Sequence, residues 1–458
     1  MAGAQPLAAR GSLPPAVEAA LARARLPRDA LSVFVADAQD GRAPARLSYR
    51  AQVPVNPASV MKLVTTYAAL DQLGSAYTWS TPVYVDGPVR AGSLKGNVYL
   101  RGQGDPTLVM ERLWLLMRRL QGQGIHVIVG DIVLDRSAFD LVGHDPAQFD
   151  GEPLRPYNAA PDALLLNFKS VVMGFVPDPG AGVAHIQYDP PMAGVQRPDS
   201  VALAASGTGC GDWRGALRAE LSDPLRTTFQ GAYAASCGER SWAVAYADPQ
   251  AFAARAVEGM WRALGGKLTG SVRDGKVPAG LQPAFSVTSP PLAAVVRDVN
   301  KFSNNVMAQH VFLTMALQKN GVATWEGARA VLRQWWLQRF GVEGQPVTDN
   351  GAGLSREARI SAQALGRMLQ AAWQSPVMPE LVASLPVAGI DGTLRRSTSR
   401  AGSAHLKTGS LRDVLAVAGY VHADDGRRYV LVAMVNHAQA AAARPVLDAL
   451  IDWTANTP

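Results

Sequence analysis

Apolar residues recur with helical spacing at Val60, Leu63, Val64, Tyr67, Ala68 and Leu70. This predicts a helix that Asn56 caps, Pro57 opens and Gly74 stops. A second helix is read over 15–24. A third starts near Ala441 and carries Val446, Leu447, Leu450, Ile451 and Trp453. Strand patterns stand at both chain ends. Residues 31–36 and 45–49 read as one hairpin, and 414–421 and 429–435 as another, turned by Asp424-Asp425-Gly426. The apolar stretches 291–296 and 306–313 read as packed helices. The long middle, about 76–285, reads mainly β with many Gly and Pro breakers. Its strand candidates are 96–101 and 126–135, with a helix over 107–121 between them. Gly102-Gln103-Gly104-Asp105 lacks the rest of a phosphate-loop fingerprint and is expected to be a structural turn.

Three polar motifs fall on this pattern: Ser59-Val60-Met61-Lys62, Ser303-Asn304-Asn305 and Lys407-Thr408-Gly409. Ser59 is expected in the first turn of its helix, near the positive end, with Lys62 on the same face. Serine is a poor nucleophile without a base. Lysine can be that base if burial and a cationic neighbour, for which Lys407 is a candidate, lower its pKa. Ser303-Asn304-Asn305 lies on a turn between two helices, where an Asx or Ser turn alone would also account for it. Lys407 opens a strand on an accessible sheet edge, which can bind an extended chain through main-chain hydrogen bonds. Gly409 is expected to admit the substrate backbone closely. Lys407, with the Thr408 and Ser410 hydroxyls, could hold a terminal carboxylate.

In this order the motifs are the signature set of penicillin-binding proteins and serine β-lactamases. The chain resembles the class C low-molecular-mass penicillin-binding proteins, the penicillin-binding protein 4-like D-alanyl-D-alanine carboxypeptidases and endopeptidases that trim peptidoglycan. Asp349-Asn350-Gly351-Ala352-Gly353-Leu354-Ser355-Arg356 looks like that family's Asp-Gly-Ser-Gly-Leu-Ser-Arg stretch, with departures at Asn350 and Ala352. The resemblance implies an α+β fold: a transpeptidase-like catalytic domain with a five-stranded antiparallel sheet flanked by helices, built from 1–75 and 286–458. Residues 76–285 would then be a large, mainly β insert of two small subdomains. It also implies Ser59 as nucleophile, Lys62 and Lys407 as its catalytic lysines, Ser303 as proton relay to the leaving group, and Asn305 holding the lysine and the substrate amide. The N–H groups of Ser59 and Ser410 would form the oxyanion hole. Arg356 would take the carboxylate, and Asp135 the ammonium, at the charged end of the stem peptide's diamino acid; the alternatives are a structural ion pair for Arg356 and a turn cap for Asp135. Peptidoglycan stem peptides are the expected partners, and β-lactams the expected covalent inhibitors.

The remaining features narrow this further. Cys210 and Cys237 are the two cysteines, and suggest one disulfide in an oxidising compartment, with two buried free thiols as the alternative. No apolar run is long enough to span a bilayer. Met1-Ala2-Gly3-Ala4-Gln5-Pro6 has no signal-peptide core, so a periplasmic protein would be represented by its mature form with an added Met. The net charge of +7 gives a weakly basic surface, without the basic and aromatic clustering of nucleic-acid binders. The seven His show no metal-ligand spacing, so neither metal nor cofactor is expected. Two rivals stand beside a DD-peptidase: a β-lactamase, and a non-catalytic peptidoglycan-binding protein. No Glu is followed by Asn three residues later, so the deacylating Glu-x-x-Asn pattern of class A β-lactamases is missing.

Overall fold

The structure, a computed structural model, describes residues 12–456, so the Met1–Pro6 segment lies outside it. The chain forms two compact units. One is drawn from both chain ends, through Thr78 and again from Pro290; the other is Trp79–Ser289.

The first unit is built on a five-stranded antiparallel sheet. Its order is Leu47–Tyr49, Leu31–Asp37, Arg428–Asn436, Val414–His422 and Ala404–Leu411. The central strands are near-continuous apolar runs because both faces are covered. On one face Val33, Val35, Leu431 and Val435 pack with Val17 and Leu21 of helix Pro15–Arg23, and with Val446, Leu450 and Ile451 of helix Arg444–Asn456. Helix Ala362–Trp373 covers the other face. There Gly366 leaves room for the Phe34 ring, which a Cβ would approach to 2.2 Å, and the Tyr420 hydroxyl donates to the Leu369 carbonyl at 2.8 Å.

Strand Ala404–Leu411 is the sheet's edge. The loop after helix Met378–Ser384 covers part of its outer side. Ala388 N–H donates to Ala404 C=O, and Leu406 N–H to Pro386 C=O. Even-numbered residues of this strand thus turn their main-chain groups outward. The alternation carries that orientation on to Thr408 and Ser410.

The helix that carries Ser59 begins differently from expectation. Its first turn, Ala58–Met61, is a 3-10 turn, and the α-helix is Lys62–Leu73, ended by Gly74 at φ +80°. Ala58 sits at φ +48°, so Pro57 does not open a regular helix. Asn56 still satisfies an N–H, accepting from Ala58 at 2.8 Å. Its own N–H and C=O are bonded by the Asn436 side chain, and its amide donates to Ser355 C=O.

The second unit holds two main apolar clusters. In one, helices Met110–Gly122 and Phe252–Ala263 pack on strands Val98–Arg101 and Ile132–Asp135. The other lies on a four-stranded sheet, where Phe175 stacks on Tyr233 and Trp213 meets both edge-on. The Cys210–Cys237 disulfide borders this second cluster. The stretch expected as one strand over 126–135 is divided between two sheets, as Val127–Ile128 and Ile132–Asp135. At the break Gly130 fits tightly, its missing Cβ only 2.4 Å from Asn97 Oδ1, and Asp131 turns aside to accept from Ser271 N–H and Arg273. The expected helix over 107–121 starts later because the Thr107 N–H and hydroxyl both donate to Asp105. Gly102 N–H donates to Asp135 C=O and Gly104 N–H to Ala163 C=O, which makes this segment a structural turn.

Candidate active site

Ser59, Lys62, Ser303, Asn305, Lys407, Thr408, Gly409 and Ser410 all belong to the first unit. Lys62 is fully buried, and its ammonium donates three hydrogen bonds: to Ser59 Oγ at 2.8 Å, Asn305 Oδ1 at 2.7 Å and Ala352 C=O at 2.6 Å. An amide oxygen and a carbonyl can only accept. Of the three partners, Ser59 alone can reverse its bond. When Lys62 is neutral, its two N–H groups stay on Asn305 and Ala352, and its lone pair faces the Ser59 hydroxyl. Burial first, and repulsion from Lys407 second, hold the Lys62 pKa well below the usual lysine value.

Lys407 is equally buried. Burial lowers its pKa to about 7. It donates to Ser303 Oγ at 2.8 Å and to Thr408 C=O at 2.7 Å. Ser303 stands at φ +57°, a left-handed conformation costly for a non-glycine residue, between helices Leu292–Lys301 and Asn305–Asn320. Asn304 caps the second helix, accepting from Met307 N–H at 3.0 Å, so the motif also supplies the helix cap. That cap presents Asn305 to Lys62.

Gly409 has a packing role at this site. A Cβ there would lie 2.6 Å from Pro57 C=O and 3.2 Å from Ala58 Cβ. The glycine admits the Ser59 turn against the edge strand. Ser59 is second in its 3-10 turn, where an N–H has no carbonyl of its own helix to bond. Ser410 is exposed, and its N–H points outward from the edge.

Sequence reasoning missed the carbonyl of Ala352, because a main-chain acceptor leaves no trace in residue type. The Asp349–Arg356 stretch supplies it by wrapping the nucleophile's turn. Thr65 donates to Gly351 C=O at 2.7 Å, and Gly353, at φ +74°, passes where a Cβ would collide with Ala58 C=O at 1.9 Å. Asn350 pins the loop, accepting from Ala352 N–H and donating to Leu354 C=O. The glycines Gly351 and Gly353 were the visible signal.

Arg356, also in the first unit, pairs with Asp413 at 3.1 Å, both about half exposed. Asp135 belongs to the second unit and is buried. Its carboxylate accepts from Ser137 N–H at 3.0 Å and Val277 N–H at 3.0 Å. Burial raises its pKa, but the hydrogen bonds from Ser137 and Val277 outweigh this and hold it below the ordinary carboxylate value. Asp135 lines a pocket with Arg101, Ser137 and Lys276.

A five-stranded sheet flanked by helices, with a serine and a desolvated lysine hydrogen-bonded beside its edge strand, defines the penicillin-recognising class of serine hydrolases. Residues 13–457 match the D-Ala-D-Ala carboxypeptidase 3 (S13) family, and the chain belongs to that family. It is 31% identical over 397 residues to a D-alanyl-D-alanine carboxypeptidase of Actinomadura sp. (strain R39), covering 81% of this chain and 71% of that protein. It is 26% identical over 392 residues to the D-alanyl-D-alanine carboxypeptidase DacB of Haemophilus influenzae, covering 83% of this chain and 80% of that one. The crystal structure of penicillin binding protein 4 (dacB) from Haemophilus influenzae has the same fold, with TM-score 0.76 at 22% identity over 96% of this chain and 99% of that chain. Among the described residues, no helix is long and apolar enough to cross a membrane.

Proposed function

We propose that this serine DD-peptidase cleaves peptidoglycan stem peptides through an acyl-enzyme on Ser59. The observation that carries the reading is the triple hydrogen bond of Lys62, in which Ser59 is the only partner able to give a proton. Lys62 removes the Ser59 proton as Oγ attacks the carbonyl before the terminal D-alanine. The N–H groups of Ser59 and Ser410 receive the oxyanion. Ser303, backed by Lys407, passes a proton to the leaving amine. Thr408 and Ser410 hold the terminal carboxylate. Water then releases the acyl group. A β-lactam follows the same path to the acyl-enzyme and stays, since the chain has no Glu-x-x-Asn pattern to activate water. The disulfide fits an exported, periplasmic setting.

The test is to incubate the protein with a D-Ala-D-Ala peptide and, separately, with a chromogenic cephalosporin. Peptide hydrolysis with stoichiometric cephalosporin acylation is expected. Rapid cephalosporin turnover would make it a β-lactamase, and absence of both reactions would leave a binding protein.

Arg356 and Asp135 are proposed for the diamino acid of the stem. The Arg356–Asp413 pair is half exposed, and a guanidinium can fork onto a substrate carboxylate. Asp135 is held ionised and suits an ammonium. Arg356→Ala and Asp135→Ala should each erase most of the preference for a zwitterionic diaminopimelyl end over an uncharged one. Acylation of Ser59 by penicillin should change little. Wild-type preference in both variants would refute the assignment.

A further inference from the structure

Thr393, which none of the three motifs contains, touches the site directly. The Thr393 and Thr408 hydroxyls are hydrogen-bonded at 2.7 Å. Thr393 is carried on a short loop fastened at several points. Lys301, nearly buried, donates to Asp391 at 2.5 Å, and Asp391 also accepts from Val387 N–H at 2.8 Å. Gly392, at φ +53°, lies so close to Lys301 C=O that a Cβ would fall 2.7 Å from it. The same loop bonds the edge strand through Pro386 and Ala388. One end of the loop is therefore fixed to the residue two before Ser303, and the other to the strand of Lys407. The position of Thr393 follows from these anchors.

A hydroxyl that donates to a carboxylate is strengthened when its own oxygen accepts from another donor. In the structure Thr408 donates to Thr393. Both groups are hydroxyls, so the bond can run either way. A carboxylate accepts only. When one meets Thr408, the favoured chain runs from Thr393 to Thr408 to the carboxylate. Valine at 393 keeps the shape but cannot donate.

We infer that Thr393 is a specificity-determining residue: its hydroxyl turns Thr408 into a committed donor and so selects substrates that end in a free carboxylate. This rests on the reading above that Thr408 meets the substrate's terminal carboxylate. The loop's ion pair and glycine position Thr393 for that task.

The experiment compares kcat/KM for one D-Ala-D-Ala peptide as the free acid and as the C-terminal amide. In Thr393→Val the acid-to-amide ratio should fall about two- to tenfold, the range of one hydrogen bond, with the amide rate nearly unchanged. Thr393→Ser should restore the ratio. Thr393→Ala should behave like the valine variant, and both should melt close to wild type, because the residue is exposed. An unchanged ratio in Thr393→Val, or an equal loss on both substrates, overturns the inference. Thr408→Val separates the two levels. If it lowers the ratio while Thr393→Val does not, only the role of Thr393 fails. If Thr408→Val also leaves the ratio unchanged, the carboxylate site itself is wrong, and the inference falls with it.

Discussion

Replacing Ser59 by alanine should abolish covalent labelling by penicillin. Intact-mass spectrometry of the wild-type protein should show a single adduct that persists for hours, and peptide mapping should place it on Ser59. The variant should show none. The Ser59 side chain contributes one hydrogen bond, to a lysine that keeps two other acceptors. The fold should therefore survive, and the variant should unfold in one cooperative transition near the wild-type midpoint. An adduct on another residue, or labelling that survives the substitution, would remove Ser59 from the mechanism.

Lys62→Met should leave Ser59 in place and slow its acylation by about 10²–10⁴-fold, the usual contribution of a positioned base. The pH dependence carries the sharper signature. The base form of Lys62 is the neutral one, so the wild-type acylation rate should rise with pH and level off once Lys62 has lost its proton. Its lowered pKa puts that rise well below the ordinary lysine range. Lys407→Met removes the neighbouring charge that assists burial. Charged Lys62 is then less disfavoured, and the inflection should move to higher pH, whatever the effect on the plateau. An inflection that stays put would mean that the two lysines do not titrate together.

Stability should follow the same logic. Between the lowered folded pKa values and the ordinary value of 10.5, the unfolded chain binds more protons than the folded one. Stability contributed by these groups therefore rises with pH from about 7, the value for Lys407. Unfolding by urea at pH 7 and pH 9 should show a smaller rise in Lys407→Met than in the wild type, and an undiminished rise would contradict the burial argument.

Local pattern made much of this protein legible. The helix ended by Gly74, the hairpin strands and the helices around Ser303 follow from spacing and turn residues, which act over a few positions. Ser59 and Lys62 meet because three helical residues bring them to one face. Nothing local announced that Lys62 would lose all contact with water or that a main-chain carbonyl 290 positions away would accept one of its hydrogen bonds. The same limit explains the division of 126–135 between two sheets, since the glycine and aspartate that break it act against partners far along the chain.

Residue identity by itself determined which groups could do chemistry here: a serine, two lysines, a relay hydroxyl and an amide, on elements whose periodicity could be read. Tertiary structure alone decided their states. It desolvated both lysines, packed Gly409 against the Ser59 turn, and set Thr393 against Thr408. The physical reason is that proton affinity and hydrogen-bond direction depend on everything packed within a few ångströms, and most of those neighbours come from distant parts of the chain.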